Sequence, residues 1–188
     1  MDETLVVTGG IEDDDTDARI ARTDAVAFGR LYARHRMAVF RYLRARGFDE
    51  DDAADLAALT FERAFARIDR YHPGGSGFVA WVIAIARNAA IDAHRRRTVA
   101  GRFAFLARVP DWAPSPEDLV ISDESDRALA DRLKLLPPAM REAIVLRYAS
   151  GLSAREIGHV IGRSEAASAK LVSRGLAALR EGYRDGIR

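Results

Sequence analysis

The stretch GFVAWVIAIARNAAIDAHRRR, Gly77 to Arg97, decides the fold. Apolar at its start and cationic at its end, it predicts one long helix that packs on a core and grips a polyanion with its last turn. A second stretch, GLSAREIGHVIGRSEAASAKLVSRGL, Gly151 to Leu176, reads as a helix-turn-helix. Its Ser153-Ala-Arg-Glu156 is a capping box, in which the hydroxyl accepts from the backbone near Glu156 while the carboxylate reaches back. Only Gly162 and Arg163 separate Ile161 from the next N-cap candidate, Ser164, and this spacing of helix, Gly-containing turn and helix is that of a bihelical DNA reader. Together the two stretches point to a transcription protein with two DNA-contacting modules.

The rest of the composition narrows the class. The chain has 188 residues, 48% of them apolar, which argues against disorder throughout. Without cysteine, disulfides and thiolate zinc sites are excluded. The start of the chain lacks the basic-then-apolar pattern of a secretory signal, and the apolar run Phe78 to Ala86 is far shorter than the roughly 20 residues of a membrane helix. The expectation is a cytoplasmic protein with no membrane contact.

A net charge of +1 conceals segregation along the chain. Residues 1–24 carry eight acids against Arg19 and Arg22, whereas 87–108 carry Arg87, Arg95, Arg96, Arg97, Arg102 and Arg108 against Asp92 alone. Nucleic-acid affinity follows local rather than total charge, so the second segment is the candidate for phosphate contact. The acids of the tail and of residues 111–126 would then compete with DNA for the arginine-rich helix end in the free protein.

Residues 1–24 are short of apolar surface and are expected to be a flexible acidic tail. From Ala25 the pattern turns helical, with Phe28, Leu31, Tyr32, His35, Val39, Tyr42 and Leu43 at three- and four-residue spacings and Gly47 as the cap. A second helix starts near Asp51 and Asp52, whose charge suits the positive end of its dipole, with Ala54, Ala58, Phe61, Phe65 and Ile68 expected on its buried face. The glycine-rich loop Tyr71 to Gly77 precedes the long third helix, completing a three-helix domain over 25–97. Pro110, Pro114 and Pro116 mark 98–122 as an extended linker. Residues 123–188 form the second domain, in which Ala167, Leu171, Leu176 and Leu179 face inward. The fold class is all-α, two small helical domains joined by a flexible linker; unless the two modules pack together in the free protein, which the sequence leaves open, they should move independently.

These motifs resemble the extracytoplasmic-function group of bacterial sigma factors. Residues 28–97 are similar to its second conserved region through Asp52-Ala-Ala-Asp55-Leu56, Thr60-Phe61, Arg63-Ala64-Phe65 and Phe78 to Asp92 followed by Arg95-Arg-Arg97. Residues 126–182 are similar to the fourth through Leu136-Pro137, Arg141-Glu142, Leu146-Arg147, Gly151-Leu-Ser153, Glu156-Ile157 and Ser164-Glu165.

The resemblance implies a protein that binds core RNA polymerase, directs it to promoter DNA and assists opening. By that similarity Asp52, Asp55, Leu56, Leu59 and Arg63 would meet the polymerase. The loop from Tyr71, with Trp81, Asn88, Asp92, Arg95, Arg96 and Arg97, would serve the minus-ten element, where Tyr71 and Asn88 suit a flipped base and the arginines suit phosphates. Arg155, Arg163, Ser164, Lys170, Ser173 and Arg174 would serve the minus-thirty-five element. The resemblance also suggests an anti-sigma partner.

Two departures from the family pattern stand out. Ala58 and Leu59 occupy positions usually held by Gln and Glu, so docking leans more on apolar area, and the usual Val-Lys-Ser-Arg string appears as Ser168-Ala-Lys170-Leu171. Each residue also has a simpler role: Trp81 as core, Tyr71 as a helix cap, Arg95 to Arg97 as charges complementing a helix dipole.

Enzyme and metal readings find no support in the motifs. Asp49, Asp51, Asp52 and Asp55 lack the glycine and glutamate of a calcium loop, the histidines have no ligand spacing, and no phosphate loop or nucleophile elbow is present, so no cofactor is expected. The main rival is a helix-turn-helix regulator that binds duplex DNA without polymerase.

Overall fold

The computed structural model describes residues 9–102 and 131–185, with side chains from 13 to 97 and from 131 to 181. The regular structure among these residues is helical throughout. In chain order come α1 (Gly9–Ile20), α2 (Ala25–Ala45), α3 (Glu50–Phe65), a 3-10 turn at Ile68–Arg70, α4 (Phe78–Arg102), α5 (Pro138–Tyr148), α6 (Ala154–Ile161) and α7 (Glu165–Asp185). The linker expected over 98–122 begins inside α4. Its prolines and aromatics lie outside the described residues.

Local chemistry sets the helix ends. Asp24 caps α2 by accepting from Val26 N at 2.8 Å, and Gly47, at φ 85°, closes it in the left-handed region where a side chain is strained. Asp49 caps α3 through Asp52 N at 2.7 Å, and Glu50, Asp51 and Asp52 fill its first turn. The capping box of α6 is complete: Ser153 Oγ accepts from Glu156 N, and Glu156 Oε2 accepts from Ser153 N at 2.7 Å.

The buried face of α3 differs from expectation. Ala54 and Ala58 are exposed, and the inward stripe is Ala53, Leu56, Ala57, Thr60, Phe61 and Ala64. A threonine can join it because its hydroxyl donates to Leu56 O at 2.6 Å, which satisfies the polar atom inside the helix. Phe65 stays partly exposed, its ring tilted against Phe28 with centroids 4.9 Å apart.

Residues 9–20 are not a free tail, which corrects the sequence reading of 1–24. Asp14 and Asp17 of α1 are buried against α2, where Asp17 accepts from Arg30 Nε at 2.8 Å and Arg34 at 3.3 Å. Asp14 meets Arg34 and, at 2.7 Å, His35 Nε2. Reading the segment by its apolar content missed this, because carboxylate–guanidinium pairs dock it, with Ala18 and Ala21 buried among its described side chains.

The two helical units also do not stand apart. Buried residues of α2, α3 and α4 run without a break into Ala143, Val145, Leu146, Leu152, Ile157 and Val160 of the C-terminal unit. At the junction Glu142 is 9% exposed and takes Tyr42 Oη at 2.9 Å, Arg46 as an ion pair and Arg87 Nε at 3.4 Å. Burial and the Glu142 charge push the Tyr42 hydroxyl well above its ordinary range, so it remains a donor.

Within the C-terminal unit the helices approach closely at small residues. A Cβ on Gly158 would lie 2.5 Å from Arg163 O and 3.3 Å from Ser168 Oγ, and one on Gly175 would lie 3.0 Å from Ile144 Cγ1. Ser168 is fully buried and donates to Ser164 O at 3.0 Å.

Glu142→Ala leaves Arg46 and Tyr42 buried without their acceptor and is expected to cost about 3–5 kcal/mol. Urea unfolding followed by circular dichroism should show an earlier transition, and an unchanged midpoint would contradict this account of the junction. Gly158→Ala should destabilise by about 1–3 kcal/mol through overpacking. Gly29→Ala, with open space around its Cβ in α2, should stabilise by about 0.5–1 kcal/mol in the same assay.

Candidate nucleic-acid interface

The loop joining the 3-10 turn to α4 is shaped by glycines. Gly74 and Gly77 adopt φ 79° and 84°, and the chain turns from Tyr71 into α4 between them. His72, Gly74 and Gly75 are exposed, forming a rim. Tyr71 is not part of that rim. It is 3% exposed, with its ring 5.5 Å from Phe78 and 5.4 Å from Trp81. Burial, then the hydrogen bond to Asp15, raises its hydroxyl far above the ordinary value. The expectation of a tyrosine face offered to a base is therefore not met in this conformation.

Beyond the loop, positions seven apart on α4 return to nearly the same side of the helix. Trp81, Asn88 and Arg95 fall on one such line with Asp92 beside it. Trp81 is half-buried in the aromatic cluster, while Asn88, Asp92, Arg95 and Arg96 are exposed. An exposed asparagine in a helix interior gains nothing from helix propensity, and here it stands between an aromatic side chain and a cationic helix end.

Arg97 belongs to the opposite side. It pairs with Asp52 of α3, and its guanidinium sits 5.1 Å over the Phe48 ring. Arg96 and Arg97 line a shallow groove with Phe48, Asp52, Asp55, Leu56, Leu59 and Ala93. The residues singled out for polymerase thus share one surface, with Arg63 half-exposed farther along α3. Two of the four acids weighed as a metal cluster are already engaged, Asp49 as a cap and Asp52 with Arg97. Among the described residues no His, Cys, Asp and Glu group has metal-binding geometry.

In the C-terminal unit, Ser164 caps α7 by accepting from Ala167 N at 3.2 Å. Ser168 and Gly175 face inward, which leaves Lys170, Ser173 and Arg174 exposed with Arg163 at the entry. Arg155 is placed elsewhere: it reaches Gly75 O of the α4 loop at 3.3 Å. Glu156 also borders that loop, since a Cβ on Gly77 would lie 3.3 Å from its Oε1. The first helix of the bihelical unit therefore covers one side of the loop.

Sequence reading missed Asp15 and Arg22. Asp15 accepts from Tyr71 Oη at 2.6 Å and from Gly74 N at 2.7 Å, and Arg22 donates to Tyr71 O at 3.1 Å. Nothing in the local pattern could reveal contacts across about fifty residues. The one signal was a dense acidic run beside a helix rich in arginine.

Comparison with known proteins places the chain in a family. Residues 31–99 match the family Sigma-70 region 2, and residues 126–179 match Sigma-70, region 4. The chain is 35% identical over 162 residues to the ECF RNA polymerase sigma factor BldN of Streptomyces coelicolor, covering 83% of this chain and 60% of BldN, so it spans about three fifths of that relative. It is 36% identical over 159 residues to the RNA polymerase sigma factor CarQ of Myxococcus xanthus, covering 82% of this chain and 88% of CarQ. The structure of CnrH in complex with the cytosolic domain of CnrY superposes with a TM-score of 0.69 at 27% identity, covering 92% of this chain and 98% of the other.

Arg97→Ala removes an ion pair whose side chains are 45% and 41% exposed together with one cation–π contact. It should lower stability by less than about 1 kcal/mol. A larger shift in the thermal midpoint would show that the α3–α4 groove contributes to folding rather than being held in reserve for a partner.

Proposed function

Because the chain belongs to the extracytoplasmic-function group of RNA polymerase sigma factors, we propose that it binds core RNA polymerase in the cytoplasm, directs it to specific promoters and assists their opening, without itself being an enzyme. The observation that carries this reading is the division of α4 into two surfaces. One side, with Asn88, Asp92 and Arg95, faces solvent beside the glycine loop. The other, through Arg97, joins the groove of Asp52, Asp55, Leu56 and Leu59. A single helix thereby couples a protein-docking groove to a nucleic-acid edge.

In this reading the α3–α4 groove and Arg63 meet the polymerase. Trp81, Asn88, Asp92, Arg95 and Arg96 act at the minus-ten element, with the exposed rim of the loop receiving the unstacked base and Tyr71 supporting that rim from behind. Arg163, Ser164, Lys170, Ser173 and Arg174 act at the minus-thirty-five element, where side chains on the outer side of α7 would reach base edges and phosphates. Arg155 joins them once released from Gly75. The sigma factor RpoE of Bartonella quintana has been seen in complex with the anti-sigma factor NepR, and an anti-sigma partner for this chain is proposed here by analogy.

The docked arrangement must open for this work. Elements at minus ten and minus thirty-five lie about 25 base pairs apart, roughly 85 Å at ~3.4 Å per pair. A compact chain of this length measures only about 40 Å across. The chain between α4 and residue 131 allows up to about 90 Å at ~3.3 Å per residue, so separation of the units at Glu142 is sufficient.

Gel filtration with purified bacterial core RNA polymerase tests the reading without knowledge of a promoter. Stoichiometric co-migration is expected, weakened at least tenfold by Asp55→Arg, which reverses a charge at the groove. Failure to co-migrate, together with tight unaided binding to duplex DNA, would instead identify a helix-turn-helix regulator.

A further inference from the structure

We propose that Asp15 of α1 is a positioning residue for the minus-ten-reading loop: its carboxylate fixes the loop in the shape that selects a base. The inference rests on the sigma reading above and adds a specificity determinant that lies outside the residues matching region 2, which begin at 31.

The geometry is a bridge. One oxygen of Asp15 accepts from Tyr71 Oη at 2.6 Å and the other from Gly74 N at 2.7 Å, so a single side chain ties the first residue of the loop to its crest. The loop needs such a tie. Gly74, Gly75 and Gly77 give it little preference for one backbone shape, and Gly74 is held at φ 79°, one of many conformations open to glycine. Arg22 adds a second strut on Tyr71 O at 3.1 Å.

The bridge also has a firm base. Asp14 and Asp17, on either side of Asp15, are anchored on Arg30, Arg34 and His35 of α2, so α1 cannot shift without breaking ion pairs whose carboxylates are buried. The remaining support, Arg155 on Gly75 O, comes from the C-terminal unit and is lost when the units separate on a promoter. Asp15 and Arg22 then hold the loop from within its own unit. Their bonds use the Tyr71 hydroxyl and carbonyl and the Gly74 amide, leaving exposed His72, Gly74 and Gly75 as the surface a base would meet.

The test uses the full chain with bacterial core RNA polymerase on a promoter library randomised across the minus-ten region, with transcripts sequenced. Wild type should select strongly at one or two positions. Asp15→Ala should reduce that selection about tenfold, as expected for losing hydrogen bonds worth about one factor of ten together. Co-migration with core polymerase should be retained. Tyr71→Phe, which keeps the ring packing and removes one donor, should give a partial loss and guards against a fold defect in Asp15→Ala.

A purely structural role would lower total transcript while leaving the base ratios unchanged, and that result overturns the proposal. Higher output with unchanged ratios overturns it too, and would make α1 a competitor of DNA. No base selection by the wild-type complex would remove the sigma reading and this proposal with it. Wild-type selection that Asp15→Ala leaves intact removes this proposal alone.

Discussion

The Glu142 carboxylate is the point on which the arrangement of this molecule depends. It is a nearly buried charge, which is tolerable only with strong partners, and all three of those partners come from the N-terminal unit: Tyr42, Arg46 and Arg87. Remove the C-terminal unit and Tyr42, Arg46 and Arg87 lose Glu142; remove the N-terminal unit and Glu142 loses all three, and water must replace them. The apolar contacts around it have no direction of their own, so the charge pattern sets the register of docking. A polar junction also has a way to open, since each of its members can be solvated when the units part. A purely apolar junction of the same size would have no such compensation.

Around that junction, α4 serves as the beam. Val82, Ile83, Ala86, Ala89 and Ala90 are fully buried, and small residues dominate this face, which lets neighbouring helices come close. The exposed residues follow from the same helical phase. Once the alanine stripe faces inward, Asn88, Asp92 and Arg95 must face solvent and Arg97 must fall beside α3. The two surfaces are therefore consequences of one packing choice. A change in the buried stripe would disturb both together.

Electrostatics also accounts for α1. Its acids are spread so that Asp14 and Asp17 meet α2 while Asp15 meets the loop, which uses three neighbouring carboxylates against two different elements. An acidic segment expected to be flexible for want of apolar surface is docked because Arg30 and Arg34 of α2 are presented at helical spacing opposite it. The competition imagined between this tail and the arginine-rich end of α4 does not appear among the described side chains of α1. The acid found at Arg97 is Asp52.

The helical class, the order of the two modules, the Ser153–Glu156 capping box, the Gly162 turn and the long helix from Phe78 were all legible in the sequence. Each depends on interactions within a few residues or on a repeat that a helix imposes. The outer side of α7 with Lys170, Ser173 and Arg174 was also legible from periodicity, whereas its most buried positions are Ser168 and Gly175 and the expected Ala167, Leu171, Leu176 and Leu179 are half-buried. What only the tertiary structure decided were contacts between distant segments: Tyr71 turned inward, Arg155 on the loop, Asp15 across it, and Glu142 at the junction. The true buried face of α3 also belongs there, because the choice of Ala53 and Ala57 over Ala54 and Ala58 was made by how α3 packs on α2 and α4. The physical reason is common to all of them. Periodicity tells which residues share a side of a helix, but the partner of a charge or hydroxyl is chosen by which helices pack together, and that choice is made by the whole chain.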